Sequence, residues 1–229
     1  MRQKRPSVRS IRRSASWHDK PKNGHCEPVR TLVWQSPFYE SESHSVKIWQ
    51  HFKTITKHRL IVMGGCFKVG LYWQGLTHDL SKYSFVEFWN GAKNYQGNRS
   101  PNTAEREIKG YSEAWMHHKG RNRHHYEYWT DISRETRNYE SLHMPRKYLI
   151  EMVMDRRAAC MTYQGKNYTD GAALTYFRNS LERTRMHPNT QKELDFLLEM
   201  LRDKGEKETF RYIKTHVLKG KPFPWEEKA

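Results

Sequence analysis

From Val46 onward the chain spaces its apolar residues at helical intervals and shows no convincing run at the period of two that a strand needs. Ile48, Phe52, Ile55, Val62, Cys66 and Val69 recur at steps of three, four and seven, the stripe of one long first helix. Ser84 with Glu87 predicts a capping box that opens a short helix through Phe85, Phe88 and Trp89, and the glycine-bearing stretch 91–101 reads as a loop. A further helix is expected from near Asn102, with Glu105 suited to its cap, through Ile108, Tyr111 and Trp115 to an end near Gly120. Pro145 predicts a first helical position ahead of Tyr148, Met152, Val153, Ala159 and Tyr163, with Gly165 as the stop. Thr190 and Glu193 predict another capping box before Leu194, Leu197, Leu198 and Leu201, and a short polar helix follows over about 206–217. No internal repeat interrupts this order. The expected fold is all-α, a single helical bundle.

Composition sets the boundaries of that bundle. Residues 1–45 are rich in Arg, Lys, Ser and Pro, with apolar residues too scattered to offset the entropy of ordering, and are read as a disordered basic arm. The helical domain is expected over 46–217 and a C-terminal tail over 218–229. Within 229 residues only 36% are hydrophobic while 13% are aromatic, so few, large side chains must fill the core. A net charge of +16 favours phosphorylated small molecules, nucleotides or nucleic acid as partners. Much of that excess lies in the arm, where Arg2, Lys4, Arg5, Arg9, Arg12, Arg13, Lys20 and Lys22 face only Asp19. Cys26, Cys66 and Cys160 form no CxxC pair, which argues against a disulfide framework and for a reducing, cytoplasmic setting. No window approaches the roughly 20 apolar residues of a membrane span, so no membrane partner is expected. Oligomeric state leaves no signal.

The chemistry-bearing residues fall in four places. His51 and His58 share the first helix's inner face with Ile55 and Val62. The stretch 77-THDLSKYS-84 sets His78 beside Asp79, with Lys82 one turn on. Four imidazoles, His117, His118, His124 and His125, crowd into nine positions around a glycine-containing turn. Asp155 shares a helical stripe with Tyr148, Met152 and Ala159, and its neighbours Arg156 and Arg157 point about 100° and more away, so a metal or a distant cation must compensate it. Mixed nitrogen and oxygen donors suit one or two ions of Mn, Fe, Ni, Co or Zn. Such ions would polarise a phosphoryl oxygen and acidify water, with Lys82, Arg121 and Arg123 neutralising the substrate's charge. On a competing reading Trp115, Tyr126, Tyr128 and Trp129 stack on bases while Arg121 and Arg123 meet phosphate, although packing beneath a metal site accounts better for these aromatics.

An early His, an adjacent His-Asp and a late Asp on an all-helical chain resemble the signature of the HD superfamily of metal-dependent proteins. The 78-HDLSK-82 segment is similar to a form found in branches related to cyclic-dinucleotide phosphodiesterases, which carry further histidines in the interval before the last Asp. The stretch 124-HHYEYWTD-131 departs from the glycine-rich motif of the HD-GYP branch, which speaks against cyclic-dinucleotide cleavage. More narrowly, 78-HDLSKYS-84 with 111-YSEAWMHHKGRNRHHYEYW-129 resembles a bacterial and phage domain family of unknown function over roughly residues 50–180. The resemblance implies His58, His78, Asp79, His118, His124, His125 and Asp155 as metal ligands, with Asp79 and Lys82 in catalysis. His51 against His58, and His117 against His118, stay open. The expected function is hydrolysis of a phosphomonoester or phosphodiester, nucleotides included. The alternatives are a di-iron oxygenase and a non-catalytic nucleic-acid-binding protein.

Overall fold

A computed structural model describes residues 44–180 and 185–226; all but the last two residues of the expected arm lie outside them. Eight α-helices follow in order: α1 (His44–Val69), α2 (Tyr72–Thr77), α3 (Phe85–Lys93), α4 (Pro101–Lys109), α5 (Glu113–Lys119), α6 (Arg146–Gln164), α7 (Ala172–Asn179) and α8 (Pro188–Thr215). A 3₁₀ turn over Leu80–Tyr83 joins α2 to α3. The sequence reading missed an exposed hairpin in which β1 (Thr130–Ile132) pairs antiparallel with β2 (Tyr139–Ser141). Three-residue strands with no buried face carry no alternation to detect. The fold is otherwise all-α, and among the described residues no helix is long and apolar enough to cross a membrane.

The core lies where α1 and α6 cross beneath α7 and α8. Val62 and Cys66 of α1 pack with Leu149, Ile150, Val153 and Met154 of α6, Phe177 of α7, and Leu194, Leu197 and Leu198 of α8, all buried. Each large apolar side chain so enclosed contributes about 1.5–3 kcal/mol relative to exposure. Gly65 lets α1 approach α6 closely, since a Cβ there would sit 2.8 Å from Met154 Sδ. Gly205 (φ 72°, ψ 176°) kinks α8 and turns Phe210 and Ile213 back onto the core. Beyond α8, Phe223 is also buried and stacks on Trp225, so this part of the expected tail packs against the bundle.

Three local expectations give way to tertiary contacts. Ser84 Oγ does accept from the Glu87 amide, but the Glu87 carboxylate turns inward to His117 and His118 instead of closing a capping box. The expected helix from Asn102 to Gly120 is two helices. Gly110 (φ 82°) ends α4 in the left-handed conformation, and Ser112 caps α5 by accepting from the Trp115 amide. Glu105 serves no N-cap; it accepts from Ser112 Oγ at 2.6 Å. Helix α8 begins at Pro188, so Thr190 and Glu193 lie inside it and bind the Met144 amide and His143. Pro145 precedes the first helical residue of α6 by one, and Gly165 ends that helix as expected.

The other layer, α3 to α5, packs on the N-terminal part of α1. Between the two layers the inner face of α1 meets the α2–α3 connection, the end of α5 and the middle of α6.

Candidate metal centre

Four elements deliver polar side chains to that junction. His58 comes from the middle of α1. His78 and Asp79 follow the last turn of α2, whose end Arg59 ties down by donating to the Leu76 and His78 carbonyls. Asp79 adopts left-handed backbone (φ 53°, ψ 25°), which stops α2 and starts the 3₁₀ turn that carries Lys82 back over it. His118 closes α5. Behind it the amides of Arg121 and Asn122 bond the His118 carbonyl, and this tight turn returns His124 and His125 to face His118. Asp155 and Glu151 lie one turn apart on α6.

Asp79 occupies the middle, its side chain 1% exposed. Its Oδ2 atom lies 3.6 Å from His58 Nε2, 3.3 Å from His78 Nε2 and 2.6 Å from Lys82 Nζ. Its Oδ1 atom lies 3.2 Å from His118 Nε2 and 3.4 Å from His124 Nε2. Asp155 Oδ1 stands 2.9 Å from His58 Nε2 and 3.6 Å from His78 Nε2. Two donor sets share Asp79, His58–His78–Asp79–Asp155 and Asp79–His118–His124–His125, a third grouping is His78–His124–Glu151, and within each the candidate atoms all lie within 4.8 Å of one another.

The far sides of the rings are occupied. Glu151 Oε1 lies 2.9 Å from His78 Nδ1 and 3.1 Å from His124 Nδ1, and Glu87 Oε2 lies 2.7 Å from His118 Nδ1. These three imidazoles therefore present Nε2 to the centre. Nε2 of His58, His78, His124 and His125 is buried with no aligned hydrogen-bond partner. A buried polar atom left so costs about 1–3 kcal/mol unless something binds it.

Spacing supplies a second test of fit. Donors about 2.1 Å from a shared ion, at octahedral or tetrahedral angles, stand roughly 3.0–3.4 Å apart. The His–carboxylate separations around Asp79 and Asp155 run from 2.9 to 3.6 Å and bracket those values. The residues present suit a borderline divalent metal in each set that shares Asp79, and among the described residues no cysteine joins either set to select a soft one.

Charge is arranged to match. Burial would raise the Asp79 carboxyl, but His78, Lys82 and His118 outweigh it and hold it well below the usual range. Burial also opposes ionisation of Asp155, and the hydrogen bonds of His58 and His78 with the charges of His58 and His124 overcome it and hold the carboxyl well below its usual range. Burial would lower the Lys82 ammonium, yet Asp79 and Asp155 raise it, so it stays charged. Desolvation and neighbouring imidazolium charge push His124 and His125 down, whereas at His78 and His118 the Asp79 carboxylate outweighs burial and favours the protonated ring.

His58, His78, Asp79, His118, His124, His125 and Asp155 are thus brought together, with Lys82 over Asp79. Of the pairs left open, His58 and His118 face the centre. His51 lies two turns away on the same face of α1, and His117 binds Glu87 Oε1 at 2.6 Å from the outer side. Arg121 and Arg123 do not join the cluster. The first donates to the His117 carbonyl, and the second donates to the Tyr148 hydroxyl and covers the rings of Tyr128 and Tyr148. Trp115 packs edge-on against His125, while Tyr126 and Trp129 lie on the core. Glu151 and Glu87 were missed from sequence. Glu151 precedes Asp155 by four residues on one helix, a spacing that held the signal.

A family model described as a family of unknown function, DUF5662, matches residues 47–200. The chain belongs to that family. The matched stretch contains every DUF5662 residue of the centre, from His58 to Asp155, together with Glu87 and Glu151. No curated protein and no solved structure matches the chain, and nothing in these comparisons links DUF5662 to the HD superfamily.

Proposed function

We propose that this DUF5662 protein is a metal-dependent phosphohydrolase acting on a phosphate ester. The observation that carries the reading is the position of Asp79, one oxygen turned to each donor set, beside the buried Nε2 atoms of His58, His78 and His124, which make no aligned hydrogen bond. Divalent ions bound there supply Lewis acidity toward a phosphoryl oxygen and lower the pKa of water. Lys82 is placed to hold a phosphoryl oxygen and to offset the charge that builds on it during transfer. Glu151 and Glu87 orient the imidazoles beforehand, so little reorganisation accompanies the reaction. The likeness of the His58, His78-Asp79 and Asp155 order to the HD signature supports the same reading.

The test combines composition and turnover. Purified wild-type protein and the His78→Ala/Asp79→Ala variant are compared by inductively coupled plasma mass spectrometry, then screened for phosphate release from monoesters and diesters. Stoichiometric metal lost in the variant, with metal-dependent phosphate release in the wild type, is the expected result. Iron accompanied by oxygen consumption and no phosphate release would instead favour a di-iron oxygenase. Wild-type protein that binds no metal after supplementation would sink both readings.

A further inference from the structure

Beside the centre, between α1, α3, α4 and α5, lies a cavity of about 70 Å³ that shares Lys82 and His118 with it. The rest of its wall mixes polar side chains, His51, Thr54, Tyr95 and Asn102, with the Glu87 carboxylate, which His117 and His118 hold, and with apolar Ile55 and Ala114. His51 is 5% exposed, and its buried Nδ1 has no hydrogen-bond partner. Gly91 makes room for that ring, since a Cβ there would stand 2.4 Å from His51 Nε2. Thr54 Oγ1 donates to the Gln50 carbonyl at 2.9 Å, so the Tyr95 hydroxyl, 2.8 Å from Thr54 Oγ1, must donate to Thr54. Tyr95 is left with free oxygen lone pairs. The wall therefore places the Lys82 ammonium at the metal end and, farther in, two polar atoms with capacity to spare, His51 Nδ1 and the Tyr95 hydroxyl oxygen.

We infer that this cavity receives the alcohol part of the substrate, and that the substrate is the phosphomonoester of a small polyhydroxylated alcohol, not a nucleotide. The inference rests on the phosphohydrolase reading for its phosphoryl group and on the cavity for the rest. A buried water needs about 10–15 Å³ of such cavity space, so this one holds roughly five to seven waters, enough for a two- or three-carbon polyol. Pockets for drug-sized ligands run from about 300 to 1,000 Å³, and a nucleoside belongs to that range. The unpartnered His51 Nδ1 and the spare lone pairs of Tyr95 call for ligand hydroxyls, which can both donate and accept, because a buried polar atom left unpaired costs more than a bond to it gains. Lys82 and His118 face the end where the phosphoryl group meets the centre.

The full chain, loaded with Mn²⁺, is titrated by calorimetry with glycerol 3-phosphate, adenosine monophosphate and inorganic phosphate, and phosphate release from the two esters is followed in parallel. Glycerol 3-phosphate should bind at least about tenfold more tightly than the nucleotide. Tyr95→Phe should weaken it by about two- to tenfold, the range for one hydrogen bond, with affinity for inorganic phosphate unchanged. Gly91→Ala, which drives His51 into the cavity, should weaken it as well. Equal or tighter binding of the nucleotide, no binding of either ester, or a Tyr95→Phe loss shared by inorganic phosphate would overturn the inference. Selective binding with no phosphate release supports the cavity while sinking the hydrolase reading. Equal release from both esters does the reverse.

Discussion

Glu151 Oε1 lies 2.9 Å from His78 Nδ1, and this contact decides which nitrogen of the ring faces Asp79. The same oxygen holds His124, so one carboxylate orients a ligand in each donor set. Glu151→Ala should weaken metal retention by about ten- to a hundredfold while leaving helicity intact. Glu151→Gln, whose carbonyl still accepts, should lose less. Dialysis against graded chelator followed by metal analysis measures both, and wild-type retention in Glu151→Ala would reduce Glu151 to a packing residue.

Asp79 belongs to both donor sets and Asp155 to one. Asp79→Ala should therefore remove all tightly held metal, whereas Asp155→Ala should keep the ion served by Asp79, His118, His124 and His125. Metal-to-protein ratios for the two variants read this directly. Equal loss in both would argue for a single ion.

His51 gives stability an acid limit. Burial, aided by the Lys82 charge, lowers its pKa from 6.5 to about 4. Between those values the unfolded chain binds the proton and the folded chain does not. Its contribution is complete above about pH 6.5 and is lost as pH falls toward 4, by up to about 3 kcal/mol. Urea midpoints for wild type and His51→Leu across pH 4–7 should diverge in that window, the wild type losing ground as acid is added. A constant difference would show that the ring does not stay neutral.

Two glycines with open space around them should respond oppositely to alanine. Gly110 holds φ at 82°, so Gly110→Ala should destabilise by about 1–2 kcal/mol through backbone strain alone. Gly64 is helical within α1, and Gly64→Ala should stabilise by about 0.5–1 kcal/mol. Denaturant melts with unchanged slopes would report both.

What was legible in sequence was what repeats or what sits within one turn. Six apolar residues at helical steps outlined α1, and His78, Asp79 and Lys82 were close enough in the chain to be read as a unit. The break between α4 and α5 was harder, because Ile108, Tyr111 and Trp115 keep a helical spacing across Gly110. Ile108 and Tyr111 are in fact exposed, so the apparent stripe had no core beneath it. Glu87, Thr190 and Glu193 were misread for a related reason. A carboxylate or hydroxyl near a helix start looks like a cap until a distant histidine or amide claims it. The choice between His51 and His58 also needed three dimensions: the two share a face, and only the arrival of α6 beside His58 separates a member of the cluster from a wall of the neighbouring cavity.

The left-handed backbone at Asp79 makes that position answer to two filters at once. Glycine would relax the backbone but carries no donor, and glutamate keeps the charge on a longer arm that would overshoot both donor sets. Asparagine tolerates the twist yet brings an amide where an anion is wanted. In a library randomised at codon 79, survivors selected for folding would be broad in chemistry and narrow in handedness, with glycine and asparagine well represented. Survivors selected for metal uptake should collapse onto aspartate alone. The gap between those two populations would measure how much of this residue's identity belongs to the chain and how much to its ions.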